Sequence, residues 1–119
     1  MSGEGHLDWI EYPHARIRFE LNTRRGRPTR FVVQLEYQIE GEWKPVARFD
    51  HDETGEQAHD VTEEGLHMDV YRDCEKYRVV RGFPAVDLRD APRYCKTYLE
   101  EHADRLLRRF KRWHDPNRR

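Results

Sequence analysis

The chain has 119 residues, of which 38% are charged and 36% hydrophobic, and a net charge of −1, as expected for one small domain with a thin core under a charged surface. Overall charge gives no sign of a nucleic-acid or membrane binder, and no stretch approaches the ~20 apolar residues needed to span a bilayer. The two cysteines, Cys74 and Cys95, have neither metal-ligand spacing nor a disulfide framework, and the first residues lack an apolar secretory stretch, so a cytoplasmic protein with free thiols is expected.

Residues 1–13 carry glycine, proline and no sustained period, which reads as an irregular arm whose Trp9 and Ile10 dock on the domain. Ile17, Phe19 and Leu21 then alternate with Arg16, Arg18 and Glu20, the pattern of a strand with one buried face. After an arginine-rich loop, Phe31, Val33, Leu35, Tyr37 and Ile39 make the clearest strand in the chain, and Glu40-Gly41 supplies a tight hairpin turn. The return strand runs from Trp43 to His51. Pro45 cannot donate a ladder hydrogen bond, and Val46 breaks the alternation, so an irregular start and a bulge are expected there. Asp52 to Gly65 is polar and acidic with two glycines, the pattern of a loop or a loosely paired hairpin extension. Leu66, Met68 and Val70 alternate with His67, Asp69 and Tyr71 in a further strand, and a turn at Asp73-Cys74-Glu75 leads into Lys76 to Val80. Asp90 is an N-cap candidate and Pro92 fits the first turn of a helix over 90–114, in which Cys95, Leu99, Ala103, Leu106, Phe110 and Trp113 recur on one face. The sum is an α+β domain: four or five antiparallel strands over 15–80, packed against a long C-terminal helix.

Charge is unevenly distributed along the chain. Arg24, Arg25 and Arg27 lie in one loop, and Arg108, Arg109 and Arg112 lie on the C-terminal helix, so both groups are candidate RNA-phosphate contacts. Residues 50–75 are acidic and hold three of the seven histidines, His51, His59 and His67. With Leu66, Met68 and Val70 facing the core, His67, Asp69 and Tyr71 share the opposite face of their strand. If the 43–51 strand is the neighbour, Arg48 and Asp50 join them and His51 points the other way.

That group holds the parts for cleaving RNA without a metal or other cofactor. An imidazole, with an unperturbed pKa of ~6.5, takes the proton from the ribose 2′-hydroxyl, a second acid protonates the leaving oxygen, and an arginine stabilises charge on the phosphate. His67 is the candidate base or acid, Asp50 and Asp69 orient it, Arg48 binds phosphate, and Tyr71 holds a base or a phosphate oxygen. A metal site is a further option, since His51, His59, His67 and Asp69 could supply ligands, although their spacing matches no recognised metal motif. Solvated surface is the competing reading of the same residues, and it makes the chain a non-catalytic module that docks a protein or nucleic acid.

Arg48-Phe49-Asp50, a short acidic loop with histidine, and His67-x-Asp69 on a strand together resemble small prokaryotic proteins of the TumE type, whose Arg-Phe/Tyr-Asp is followed downstream by His-x-Asp or His-x-His. The resemblance covers roughly residues 15–80 and leaves the C-terminal helix outside it. The histidine-rich run of those toxins is reduced here to His59 and His67. The resemblance implies a ribonuclease toxin whose partner is a helix-turn-helix antitoxin, and it nominates Arg48, Asp50, His67 and Asp69.

Overall fold

Residues 2–53 and 60–114 are described in the computed structural model. Six antiparallel strands follow one another across a single meandering sheet: β1 (Ser2–Glu11), β2 (Ala15–Arg24), β3 (Arg27–Ile39), β4 (Glu42–Asp52), β5 (Met68–Arg72) and β6 (Glu75–Val80). A four-residue helix α1 (Val61–Glu64) precedes β5, and α2 (Ala91–Trp113) closes the chain. His59 and Pro116 fall outside the described residues.

The alternation of Phe31, Val33 and Leu35 places β3 at the centre of the core. These side chains are fully buried, beside Ile17 of β2, Ala47 and Phe49 of β4, and Met68 and Val70 of β5. Helix α2 lies across β2, β3 and β4 and presents Cys95, Leu99, Ala103, Leu106 and Phe110 to this layer. Each large side chain buried in this way contributes about 1.5–3 kcal/mol, so the helix stripe is the main fastening of the α layer to the sheet.

Two-residue turns set the registers. Arg25 and Gly26 between β2 and β3, and Glu40 and Gly41 between β3 and β4, all have positive φ, the backbone of a turn whose twist matches that of the flanking strands. The β5–β6 turn uses Asp73 and Cys74 at φ of 52° and 64°, without a glycine. Across β3 and β4 the pairing slips between Leu35/Ala47 and Glu36/Pro45, which leaves Val46 as the extra residue of a bulge, as its break in alternation predicts.

Three expectations need correction. Among the described residues the strands number six, because residues 2–11 form an edge strand along β2 instead of an irregular arm. Leu7 and Trp9 stay exposed there, so no burial period marks the segment; backbone pairing, an Asp8–Lys96 ion pair and a 3.2 Å Glu11–Lys111 contact hold it. Asp90 occupies the N-cap position of α2 but makes no side-chain capping bond, and the first turn contains no acid. The backbone of Ala91 is instead satisfied by the carbonyl of Asp87 at 3.0 Å. The basic last turn, Lys111 and Arg112, does complement the helix dipole.

Candidate active site on the uncovered face of the sheet

Because α2 takes one face of the sheet, the alternate residues of every strand share the other. Register decides which of them meet. Arg16 lies opposite Glu36 and Arg18 opposite Gln34 across β2 and β3. Gln34 lies opposite Arg48 across β3 and β4, and Arg48 opposite Asp69 across β4 and β5. A polar row therefore crosses the sheet from β2 to β5.

The end of this row brings the proposed residues together. Asp50, His67 and Asp69 each offer an oxygen or nitrogen atom, and these atoms all lie within 4.8 Å of one another. Among the described residues this is the one group of three such side chains. Arg48 Nε donates to Asp50 Oδ2 at 2.9 Å, and His67 Nε2 is 4.0 Å from Asp69 Oδ1. The other oxygen of Asp69 meets Lys76 Nζ of β6 at 3.3 Å. Asp69 is 2% exposed and His67 7% exposed, whereas the side chains of Arg48 and Lys76 reach 28% and 53%. The carboxylate and imidazole are thus set into the sheet, with the cations above them. Asp69 Oδ1 is buried and has no hydrogen-bond partner.

Tyr71 lies opposite Lys76 on β5 and feels the charges of Asp69, Arg48, Lys76 and Asp50. Burial, and next the Asp69 carboxylate, push its phenol above the ordinary tyrosine range, so it keeps its proton at neutral pH. Arg48, Asp50, His67 and Asp69 therefore lie together, and Tyr71 borders them through its register opposite Lys76.

His51 does not join them. It points into the core, 0% exposed, stacked on Phe31 with ring centroids 5.6 Å apart. Its Nδ1 accepts the Val61 backbone N–H at 3.1 Å, which anchors the start of α1. The opposite orientation of His51 and Asp50 is the plain consequence of strand alternation.

The basic groups sit elsewhere. Arg24, Arg25 and Arg27 are exposed at the β2–β3 turn, where Arg27 pairs with Glu53. Arg108, Arg109 and Arg112 belong to α2, on the other side of the sheet from His67. Arg108 pairs with Asp104 at 2.9 Å, and Arg109 lies over the Trp113 ring at 5.2 Å, with Arg72 at 5.3 Å from the same ring. Burial and neighbouring arginines lower the pKa of Arg109.

Reasoning from the sequence passed over a buried network beside the site. Glu36, 5% exposed, accepts from Arg16 Nε at 2.9 Å, Arg18 Nε at 3.2 Å and Gln34 Nε2 at 2.7 Å. Arg18 also pairs with Glu20, which in turn meets Arg30 at 3.1 Å. Arg16 is stacked 3.8 Å from the centre of the Trp43 ring. The available signal was the β2–β3 register: with residues 31–39 and 16–21 both alternating, a tight hairpin pairs Arg16 and Arg18 with the polar positions of the next strand.

These features define the class: a small α+β domain with a helix on one face of an antiparallel meander and a His/Asp cluster set into the other. The chain belongs to the family described as a domain of unknown function, DUF7718, whose match spans residues 1–116. No curated protein and no solved structure matches it significantly. No helix among the described residues is long and apolar enough to cross a membrane.

Proposed function

We propose that this domain cleaves single-stranded RNA without a metal cofactor, at the cluster shared by β4, β5 and β6. The observation that supports it most is the register of Arg48 against Asp69, beside which an imidazole and two carboxylates lie within 4.8 Å of one another and a guanidinium donates to one of them at 2.9 Å. His67 takes the 2′-hydroxyl proton as the 2′-oxygen bonds to phosphorus. The P–O5′ bond breaks, and the departing 5′-oxygen takes the phenolic proton of Tyr71. Arg48 and Lys76 face the non-bridging phosphate oxygens, while the carboxylates of Asp69 and Asp50 lie beside the imidazole and balance its charge. The resemblance to TumE-type toxins extends the reading to the toxin of a toxin–antitoxin pair, with a helix-turn-helix protein as partner.

The test is the chemistry of the product. Purified full-length chain in EDTA is expected to leave fragments ending in 2′,3′-cyclic phosphate, and to leave the same oligonucleotide uncut when the 2′-hydroxyls are replaced by hydrogen. Fragments with 5′-phosphate ends, or equal cleavage of DNA, refute attack by the 2′-hydroxyl.

A second reading has its own observation. Leu7 and Trp9 are each 47% exposed and Tyr12 76%, along the β1 side of the molecule. That apolar edge suits a docking module with no chemistry of its own. Partner binding that survives His67→Ala but is lost on Trp9→Ala favours it.

A further inference from the structure

We propose that Asp50, His67 and Asp69 bind a divalent transition-metal ion of the Zn2+ type, and that the ion competes with the proton-transfer role of His67. The metal site stands on its own geometry; its inhibitory consequence rests on the ribonuclease reading given above.

Asp69 Oδ1 is a buried carboxylate oxygen with no hydrogen-bond partner, and it faces His67 Nε2 at 4.0 Å. An unsatisfied buried acceptor is costly, most of all on a charged group, so the position calls for a ligand. A separation of 4.0 Å exceeds a hydrogen bond and is about 0.5 Å longer than two tetrahedral ligands of one ion require. Zinc lies ~2.0–2.2 Å from imidazole nitrogen and carboxylate oxygen, so its tetrahedral ligands stand about 3.3–3.5 Å apart. Asp50 supplies the third donor, and all three candidate atoms already fall within 4.8 Å of one another. Side-chain rotations that shorten these separations by roughly 0.5–1.4 Å complete the approach.

The donor set selects the class of ion. One imidazole and two carboxylates suit a borderline transition ion, whereas magnesium and calcium prefer oxygen ligands throughout. Three protein ligands also leave a coordination position open, as metal sites accessible to solvent require. Two cations oppose the ion: Arg48 on Asp50 Oδ2 and Lys76 on Asp69 Oδ2. Each occupies a single oxygen, and the Lys76 side chain is half exposed, so its ammonium can swing into water as the ion enters. An ion on His67 occupies the lone pair that would accept the 2′-hydroxyl proton. Binding therefore removes the general base.

The experiment is a Co2+ titration of the full chain, followed by visible absorption, with Cys74→Ser as background so that the exposed thiol contributes nothing. One equivalent is expected, displaced by Zn2+. His67→Ala should abolish the bands, and Asp69→Asn, which preserves shape, should weaken binding at least tenfold. Circular dichroism establishes that each variant is folded. No uptake, or uptake unchanged by both substitutions, overturns the site and assigns Asp69 Oδ1 to a bridging water. In parallel, Zn2+ should suppress RNA cleavage in the same background. Cobalt binding with RNA left intact throughout supports the site and rejects the ribonuclease reading. Cleavage that requires added metal, or is indifferent to it, overturns the inhibitory role.

Discussion

Replacing Glu36 probes the polar scaffold on which the cluster rests. Its carboxylate accepts three hydrogen bonds, two from arginines and one from Gln34, and is 5% exposed. Charge-assisted bonds are each worth about 1.5–3 kcal/mol, and breaking a buried ion pair from one side costs about 3–5 kcal/mol. The partners moderate that cost. The Arg16 and Arg18 side chains are 18% and 35% exposed, so both can turn their charge toward water once Glu36 is gone. Gln34, at 6% exposure, has less freedom and loses its acceptor. Glu36→Ala is therefore expected to destabilise the fold by about 2–4 kcal/mol, and Glu36→Gln, which keeps shape and one acceptor, by about half as much. Urea unfolding followed by tryptophan fluorescence measures both; with m of about 1–3 kcal/mol per M, the alanine variant should lose about 1–2 M in midpoint. If both variants lie within about 0.5 kcal/mol of the parent, the network is a solvated surface feature and the argument from burial fails.

Burial also separates the two thiols. Cys95 lies in the core beneath α2, where desolvation pushes its pKa far up, while Cys74 is exposed in the β5–β6 turn. A thiol reagent near pH 8 should modify one cysteine in the native chain and two in denaturant; rapid native labelling of Cys95 contradicts the packing of α2. Hydrogen bonding from Lys96 holds the Asp8 carboxyl below its ordinary range, against a smaller opposing effect of burial. A depressed carboxylate stabilises above its unfolded pKa of about 4 and loses that contribution as pH falls through the folded value. Amide exchange, corrected for intrinsic rates, should show β1 losing protection below pH 4 before β3 does, and Asp8→Asn should remove the difference. Equal loss in both strands counts against the Asp8–Lys96 tether.

The parts of the fold that could be read in advance are those where burial leaves a period. Phe31, Val33 and Leu35 on β3, and Cys95, Leu99, Ala103 and Phe110 on α2, occupy the core as their spacing implies. The same logic placed Arg48, Asp50, His67, Asp69 and Tyr71 on one face and His51 on the other, because alternation at β4 and β5 needs only the identity of the neighbouring strand. Strand β1 stayed hidden, since it is held by backbone pairing at an edge and buries little. Lys76 and Glu36 were hidden for a different reason. Their places at the site and beside it depend on cross-strand register, which is set by the turns at Asp73-Cys74 and Arg25-Gly26 and by the slip at Val46. The separation of Arg108, Arg109 and Arg112 from His67 likewise follows from which face of the sheet receives α2, a choice the helix's own pattern does not encode.

The most direct measurement is the initial rate of cleavage of a single-stranded RNA by the full chain in EDTA, compared with His67→Ala. Loss of the general base should lower that rate by about 10²–10⁴-fold while the unfolding midpoint stays close to that of the parent. An RNA left intact by the parent, or a rate that His67→Ala leaves unchanged, contradicts the account.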